Sequence, residues 1–527
     1  MDNLPILEGW WRHNTTSVDL KRCHDHGNDH GSGCIGGSGA GAHACKPSLS
    51  GPMCVLCSGG PGHFYDDGTS ECKECTTGTR YISLLALLLV GLALVLGAGL
   101  TMYYCSLPAS KACRPTRRVQ LEVWKAFRSA MIKVKIVMSF YQVARLVPVV
   151  YQIILPSAVQ AVLNVVGYLT IEVDALNIHI SCYGAGGLYH QIAFLMIWPI
   201  VTIAATPLVG LSLAFMLRHS TPRKLWAHGL RGGEPGVIDT VLLRFAMPLT
   251  LLTLFFAFPP VTSLAFRAFE ECETFTDEAE ESQSFLISPT RHYVLPCPSD
   301  ELQRTQSLAW GAIVLYPIGV IMLCGVLLFL GRHSLISKRN TAYSLSISFL
   351  HASFKPTWFF FDLFDMVKKL VLVGFASQLS PGSLEQIAFA VVVSMLFLVL
   401  HLQAMPYRSH IDNIFATSTH VMLVMFFVWC MLMQADNLLE LESSHTLFIS
   451  VMMLVSVIGV VVIAIALMIV EVVMRKAVER NEALQRATWA GCTIEPPIAN
   501  WKASKAMRAL FHTARQTVRP MRGFCTT

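Results

Sequence analysis

The sequence predicts an all-α polytopic membrane protein of about nine transmembrane helices, led by a small disulfide-rich N-terminal ectodomain. Composition is the first sign. Of 527 residues, 53% are apolar and only 14% charged, and mean hydropathy is +0.52; soluble domains carry about 25% charged residues. The second sign is that basic and acidic residues segregate into alternate loops. The third is the cysteine distribution, with seven of sixteen in residues 23–75 and two more, Cys272 and Cys297, flanking an acidic loop. Cysteines clustered outside the spans fit an oxidising compartment. Three regions follow: 1–80, the cysteine-rich ectodomain; 81–475, the membrane domain; and 476–527, a basic tail.

The ectodomain carries Asn14-Thr15-Thr16, an N-glycosylation acceptor if this region is extracellular or luminal. Cys23, Cys34, Cys45, Cys54, Cys57, Cys72 and Cys75 are joined by Gly-rich connectors with almost no aliphatic residues. Such a segment buries too little apolar surface to fold alone, so covalent staples must replace a core. Two CxxC pairs and nearby His24, His26, His30 and His43 also fit a zinc site. Thiolate zinc needs reduced cysteines, however, and the orientation derived below puts these outside, so disulfides are expected and no metal or cofactor. Seven is odd, so one cysteine pairs elsewhere or stays free; geometry permits Cys182, in the next outer loop, as its partner. GSGAGA (37–42) has no strand before it or helix after it and reads as filler.

A helix crossing the hydrocarbon core needs ~20 largely apolar residues. Candidates lie at 81–104, 136–155, 187–217, 238–262, 306–330, 367–380, 384–405, 411–433 and 446–473. The sixth is short, and Pro381-Gly382 turns the chain directly behind it. With the N-terminus outside, the inner segments hold 29 of the 40 Lys/Arg, whereas nine acidic residues fall in 1–80 and nine more in 263–304. That is the positive-inside pattern, and omitting span six would break it. The start, MDNLPILEGWW, lacks the basic and apolar regions of a secretory signal. Either span one anchors the chain with its N-terminus outside, or the true start is missing; the second is the expectation here.

Ionisable groups within spans are functional candidates by default. Arg145 lies mid-span, and Arg244 lies one to two turns inside span four, where snorkelling accounts for it better. Glu172 and Asp174, in the amphipathic outer segment 156–185, are candidate partners of Arg145 or lining for an outer vestibule. At the start of span six, Asp365 and Lys369 are i,i+4 neighbours, Asp362 lies a turn earlier, and Lys368 adjoins, so charges can pair at the inner interface. Trp358 and Phe359–Phe361 read as an interfacial aromatic belt. The stretch serves either as an anchor for span six or as a gating elbow. Pro148, Pro199, Pro207, Pro248, Pro259-Pro260 and Pro317 should kink helices. After Glu495 the tail is wholly basic; WKASKAMRALFHTARQ puts Trp501, Lys505 and Arg508 on one side and Met507, Leu510, Phe511 and Ala514 on another. A basic amphipathic helix suits anionic inner-leaflet lipids or a calmodulin-like protein. Cys105 and Cys113 flank the inner end of span one as palmitoylation candidates.

Several stretches carry a resemblance. Trp10-Trp11-Arg12, Cys34-Ile35-Gly36-Gly37, Gly51-Pro52-Met53-Cys54-Val55-Leu56-Cys57 and Cys72-Lys73-Glu74-Cys75 resemble the ephrin-receptor-like (GCC-type) cysteine-rich repeat, which in protist and algal proteins directly precedes a multi-span region. Lys135–Val143, Phe354–Asp362, Met366–Leu370, and Met405-Pro406-Tyr407-Arg408 with Asp412-Asn413 are similar to parts of the TRP-like, polycystin-related transmembrane domain. The family usually carries Glu and Arg-Lys where this chain has Asp362 and Lys368-Lys369. The resemblance implies a disulfide between Cys272 and Cys297. The connections after spans six and eight are too short for a re-entrant pore helix and filter.

Walker loop, HExxH and GxSxG patterns are all missing, so no enzyme and no nucleic-acid partner is expected. The expected function is a TRP-like cation channel or related transport or sensing protein in the plasma membrane or an endomembrane, with a homo-oligomer among its expected states. A non-conducting receptor or adhesion protein, and a lipid transporter or scramblase, are the rivals.

Overall fold

The computed structural model describes residues 5–15, 17, 19–23, 25, 31–59, 62–66, 69–76, 114–170, 182, 186–220, 241–276, 282–288, 293–337, 339, 341–439 and 444–489. The chain divides into two compact units, Met1–Leu467 and Met468–Thr527. Span one, Glu172, Asp174, Cys105, Cys113 and the tail motif at 501–514 lie outside the described residues.

Six described helices are long and apolar enough to cross a membrane: Leu188–Ser212, Met247–Arg267, Asp300–Ile336, Leu384–Ala404, His410–Ala435 and Leu447–Val478. They coincide with expected spans three, four, five, seven, eight and nine. The expectation of nine is therefore met only in part. At span two, helix α1 (Arg114–Ala144) breaks at Arg145–Leu146 and resumes as the four-residue α2 (Val147–Val150), with Pro148 in its first turn. The short α3 (Ser157–Thr170) packs back on this break through Val159, Leu163 and Val166.

Helix α4 (Leu188–Ser220) keeps Pro199 and Pro207 inside it, and α5 (Met247–Arg267) keeps Pro259 and Pro260. Helix α6 (Asp300–Ile313) starts on Ser299, whose hydroxyl accepts from the Leu302 amide at 3.1 Å, with Asp300 and Glu301 in the first turn; this is a favourable N-terminus by both capping and dipole. A π-turn at Val314–Ile318, which holds Pro317, joins α6 to α7 (Gly319–Ile336). Short helices α8 (Ala342–Ser346) and α9 (Ser348–His351) lead to α10 (Phe361–Lys369).

Expected span six differs from its reading. It begins at Phe361 rather than 367, and it runs on through a π-turn (Leu370–Gly374) and a 3₁₀ turn (Phe375–Gln378) instead of one regular helix. Helices α11 (Leu384–Ala404), α12 (His410–Leu439) and α13 (Ser444–Trp489) complete the set.

Two apolar cores result. One joins α1–α3, the Leu370–Gly374 turn, α11, α12 and α13; the other joins α4–α7, α8–α9 and Met366 of α10. The chain of α10 and its π-turn belongs to both, so it forms the seam. Away from the charges, buried Gln386 fastens that seam. Its Nε2 donates to Val150 O at 3.0 Å and Ala376 O at 2.9 Å, and its Oε1 accepts from Gly382 N at 3.1 Å. One side chain thus satisfies the ends of two broken helices, groups that would be orphaned in an apolar interior.

The ectodomain consists of three two-stranded antiparallel pairs: β1 (Trp10–Arg12) with β2 (Leu20–Arg22), β3 (Leu49–Ser50) with β4 (Leu56–Cys57), and β5 (His63–Asp66) with β6 (Glu71–Glu74). It is less coreless than its composition implies. Trp11, Leu49, Met53 and Val55 pack in one cluster with Phe275 and Ile287. These last two come from a three-stranded sheet, β7 (Glu273–Thr276), β8 (Ser282–Ser288) and β9 (Tyr293–Cys297). Trp11 meets Phe275 edge-on at 5.4 Å, a favoured aromatic geometry. At Gly36 the backbone has φ +68°, and a Cβ there would sit 2.6 Å from Ile6 O; only glycine suits both demands.

Candidate functional site

Five cysteine pairs lie at bonding distance: Cys23–Cys34, Cys45–Cys54, Cys57–Cys72, Cys75–Cys182 and Cys272–Cys297. The odd ectodomain cysteine, Cys75, is thereby tied to the membrane domain. Inside this framework Asp25 acts as a node. Its carboxylate accepts from Ser32 Oγ and Gly33 N at 2.5 Å and from Tyr65 hydroxyl at 3.0 Å. Burial opposes its ionisation, but the hydrogen bonds from Ser32, Gly33, Ser70 and Tyr65 outweigh that and hold its carboxyl below the usual value. Asn14 is exposed on a turn.

The principal polar feature lies in the membrane domain. Spacing along α10 puts Asp362, Asp365, Lys368 and Lys369 within two turns on neighbouring faces. Asp365 accepts from Lys368 Nζ at 2.6 Å and from Lys369 Nζ at 2.9 Å, and Ser139 Oγ of α1 reaches it at 2.7 Å. Asp362 does not join this group. It pairs with Lys135 of α1 at 2.7 Å, and Lys135 also donates to Phe349 O at 2.9 Å and lies 4.1 Å from that ring's centre. Lys369 sits 4.3 Å over Phe255 of α5. Two residues before Lys135, on another face of α1, Lys133 pairs with Asp412 of α12 at 3.0 Å. Lys133, Lys368, Lys369, Asp362 and Asp412 are all buried. The ionic cluster therefore clamps α1, α10 and α12 together and touches the second core through Phe255 and Phe349. Leaving one member of such a buried pair without its partner costs about 3–5 kcal/mol.

Beside it lie two imidazoles, His401 of α11 and His420 of α12, stacked 4.9 Å apart and tilted by only 17°. His420 Nδ1 is 2.7 Å from Ala416 O. Among the described residues neither ring nitrogen of buried His401 makes a hydrogen bond of good geometry. A cavity of about 360 Å³ separates α1, α10, α11 and α12, and Ser139, Asp362, Asp365, Lys368, His401 and His420 are among its walls. The turn after α11 is locked to the segment before α10. Phe354 and Tyr407 form a bridge, Arg408 Nε donates to Phe354 O at 2.7 Å, and the Asn413 amide bonds Tyr407 N and O at 2.9 Å each. Here Trp358, Phe360, Phe361, Phe364, Phe354 and Tyr407 pack on one another, so the expected belt is a packed cluster of rings.

Arg145 sits at the break after α1 and donates to Leu163 O of α3 at 2.8 Å. It lies so close to Gly167 that a Cβ there would overlap Nη1. Arg244 falls in the π-turn (Val241–Ala246) that precedes α5. Lys133, Lys135, Asp412, His401 and His420 were missed as site residues. The two histidines sit inside apolar runs, the same signal that singled out Arg145, and the two lysines close the polar stretch ahead of span two.

Comparison with known protein families, curated proteins and solved structures finds no match for this chain.

Proposed function

We propose that the chain is a membrane transport protein, a cation channel or close relative of TRP-like type, in which the ionic cluster is the gating element and not the ion path. The cluster carries this reading. Seven charged groups kept in the interior of an apolar bundle are expensive, and ion pairs bridging separate helices are the usual substrate of switching between packings. The reading includes nine spans with the N-terminus outside and the tail inside, an ephrin-receptor-like ectodomain, a glycan on Asn14, and a tail bound to anionic lipid.

The test is ion flux from liposomes holding the purified full chain. Flux above protein-free liposomes is expected, changed at least tenfold by Asp362→Asn, which uncouples Lys135. Absence of flux under voltage, stretch and calcium alike would sink the proposal. A receptor reading draws on a different observation, the Trp11–Phe275 core that joins the ectodomain to the loop between two spans. It requires that removing residues 1–80 abolish function, whereas a channel would keep basal flux.

A further inference from the structure

The group around Asp365 is not electrically balanced. Two ammoniums, Lys368 and Lys369, share the single carboxylate of Asp365, while Asp362 already has its own countercharge in Lys135. Among the described residues, one positive charge is left over beside the cavity. Lys368 and Asp365 line that cavity, and Lys369 reaches it only through its bond to Asp365. An ammonium has three donors, and Lys368 spends one on Asp365. His401 is 1% exposed and lines the same cavity, and among the described residues neither of its ring nitrogens makes a hydrogen bond of good geometry. A buried donor without an acceptor is destabilising, so a ligand atom here would relieve it. The lining also includes apolar Phe397, Phe364 and Leu400, and the last two are more than a third exposed. The cavity thus reaches the surface at apolar residues of α10 and α11.

We propose that this cavity binds a monoanionic single-chain amphiphile, a long-chain carboxylate of the fatty-acid type, with its head on Lys368 and His401 and its chain leaving past Phe364 and Leu400. A carboxylate accepts from both donors and cancels the surplus charge. An alcohol would satisfy His401 and leave the charge uncancelled, and an alkylammonium would add to it. About 360 Å³ lies at the small end of ligand pockets, which run to roughly 1,000 Å³; it suits one chain better than two. The site stands whether or not the protein conducts ions.

The test is photolabelling of the full chain, in phosphatidylcholine nanodiscs, with a diazirine-bearing hexadecanoate, and mapping of the label by mass spectrometry. Labelling is expected around Phe364, Phe397 and Leu400. It should be competed by hexadecanoate at least tenfold better than by hexadecanol, hexadecyltrimethylammonium or dipalmitoyl phosphatidylserine. Lys368→Gln should reduce it about tenfold and Lys368→Arg should retain it, while Leu400→Trp, which fills the mouth without touching the charges, should also reduce it. Equal competition by the alcohol overturns the charge-reading head group, and equal competition by the two-chain lipid overturns the single-chain assignment. Label spread over all lipid-facing helices, or unchanged in both Lys368→Gln and Leu400→Trp, means partition into the bilayer only and overturns the site.

Discussion

Arg145 and Gly167 compete for one small volume, and the backbone decides in favour of the arginine. An alanine at 167 would displace the guanidinium from Leu163 O. Overpacking of this kind costs about 1–3 kcal/mol, so Gly167→Ala should lower the melting temperature of the purified protein. In an Arg145→Ala background the same change should cost far less, and strictly additive effects would refute the contact. At Asp365, Ala should be more damaging than Met at Lys369. The first strands two buried ammoniums, whereas the second leaves Asp365 its bond to Lys368. About 3–5 kcal/mol is expected for Asp365→Ala, read as the ordering of the two melting temperatures. Asp25 gives a pH prediction. Its native carboxyl titrates below its ordinary value of 3.8, so its contribution is complete above that pH and lost as pH falls through the lower native value. Pepsin cleavage within residues 31–74, normalised to a denatured control, should accelerate below about pH 3.8, and Asp25→Asn should remove the pH dependence.

At the level of elements, the disulfides set how firmly each hairpin is held. Cys57–Cys72 closes 15 residues around β5, for which chain entropy gives about 3 kcal/mol. Replacing both with Ser should open β5–β6 to protease while β7–β9, tied by Cys272–Cys297, stays resistant. Peptide mapping without reduction should return the five pairs. The apolar runs of α4, α5, α11 and α13 were legible in the sequence because length and hydropathy alone define a membrane-length helix. Spans two and six were less legible. Their charges, Arg145 in one and Lys368 and Lys369 in the other, dilute the apolar signal, and neither runs as one regular helix. The ectodomain core was invisible for another reason: Phe275 and Ile287, which complete it, lie more than 260 residues downstream of Trp11. The Asp362–Lys135 pair was hidden likewise. Spacing along one helix offered Asp362 its local lysines, and tertiary packing supplied a different one.

For the whole molecule, threading is the property to measure. A glycan on exposed Asn14 should appear as a mass shift removed by endoglycosidase and by Asn14→Gln in a glycosylating host; in sealed microsomes, whose cytosolic face is outward, a modified chain with residues 475–486 protected from added protease would contradict an inside tail. The two ends of the seam are fastened by different kinds of bond. At one end Gln386 holds α2, the Phe375–Gln378 turn and the start of α11 through uncharged hydrogen bonds. Fifteen residues along α11, a rise of about 22 Å, His401 stands beside the ion pairs. Amide bonds to backbone carbonyls are indifferent to salt and voltage, whereas ion pairs answer to both. On the gating reading proposed above, a field or a bound anion would therefore act at the charged end, while the glutamine end would keep its packing.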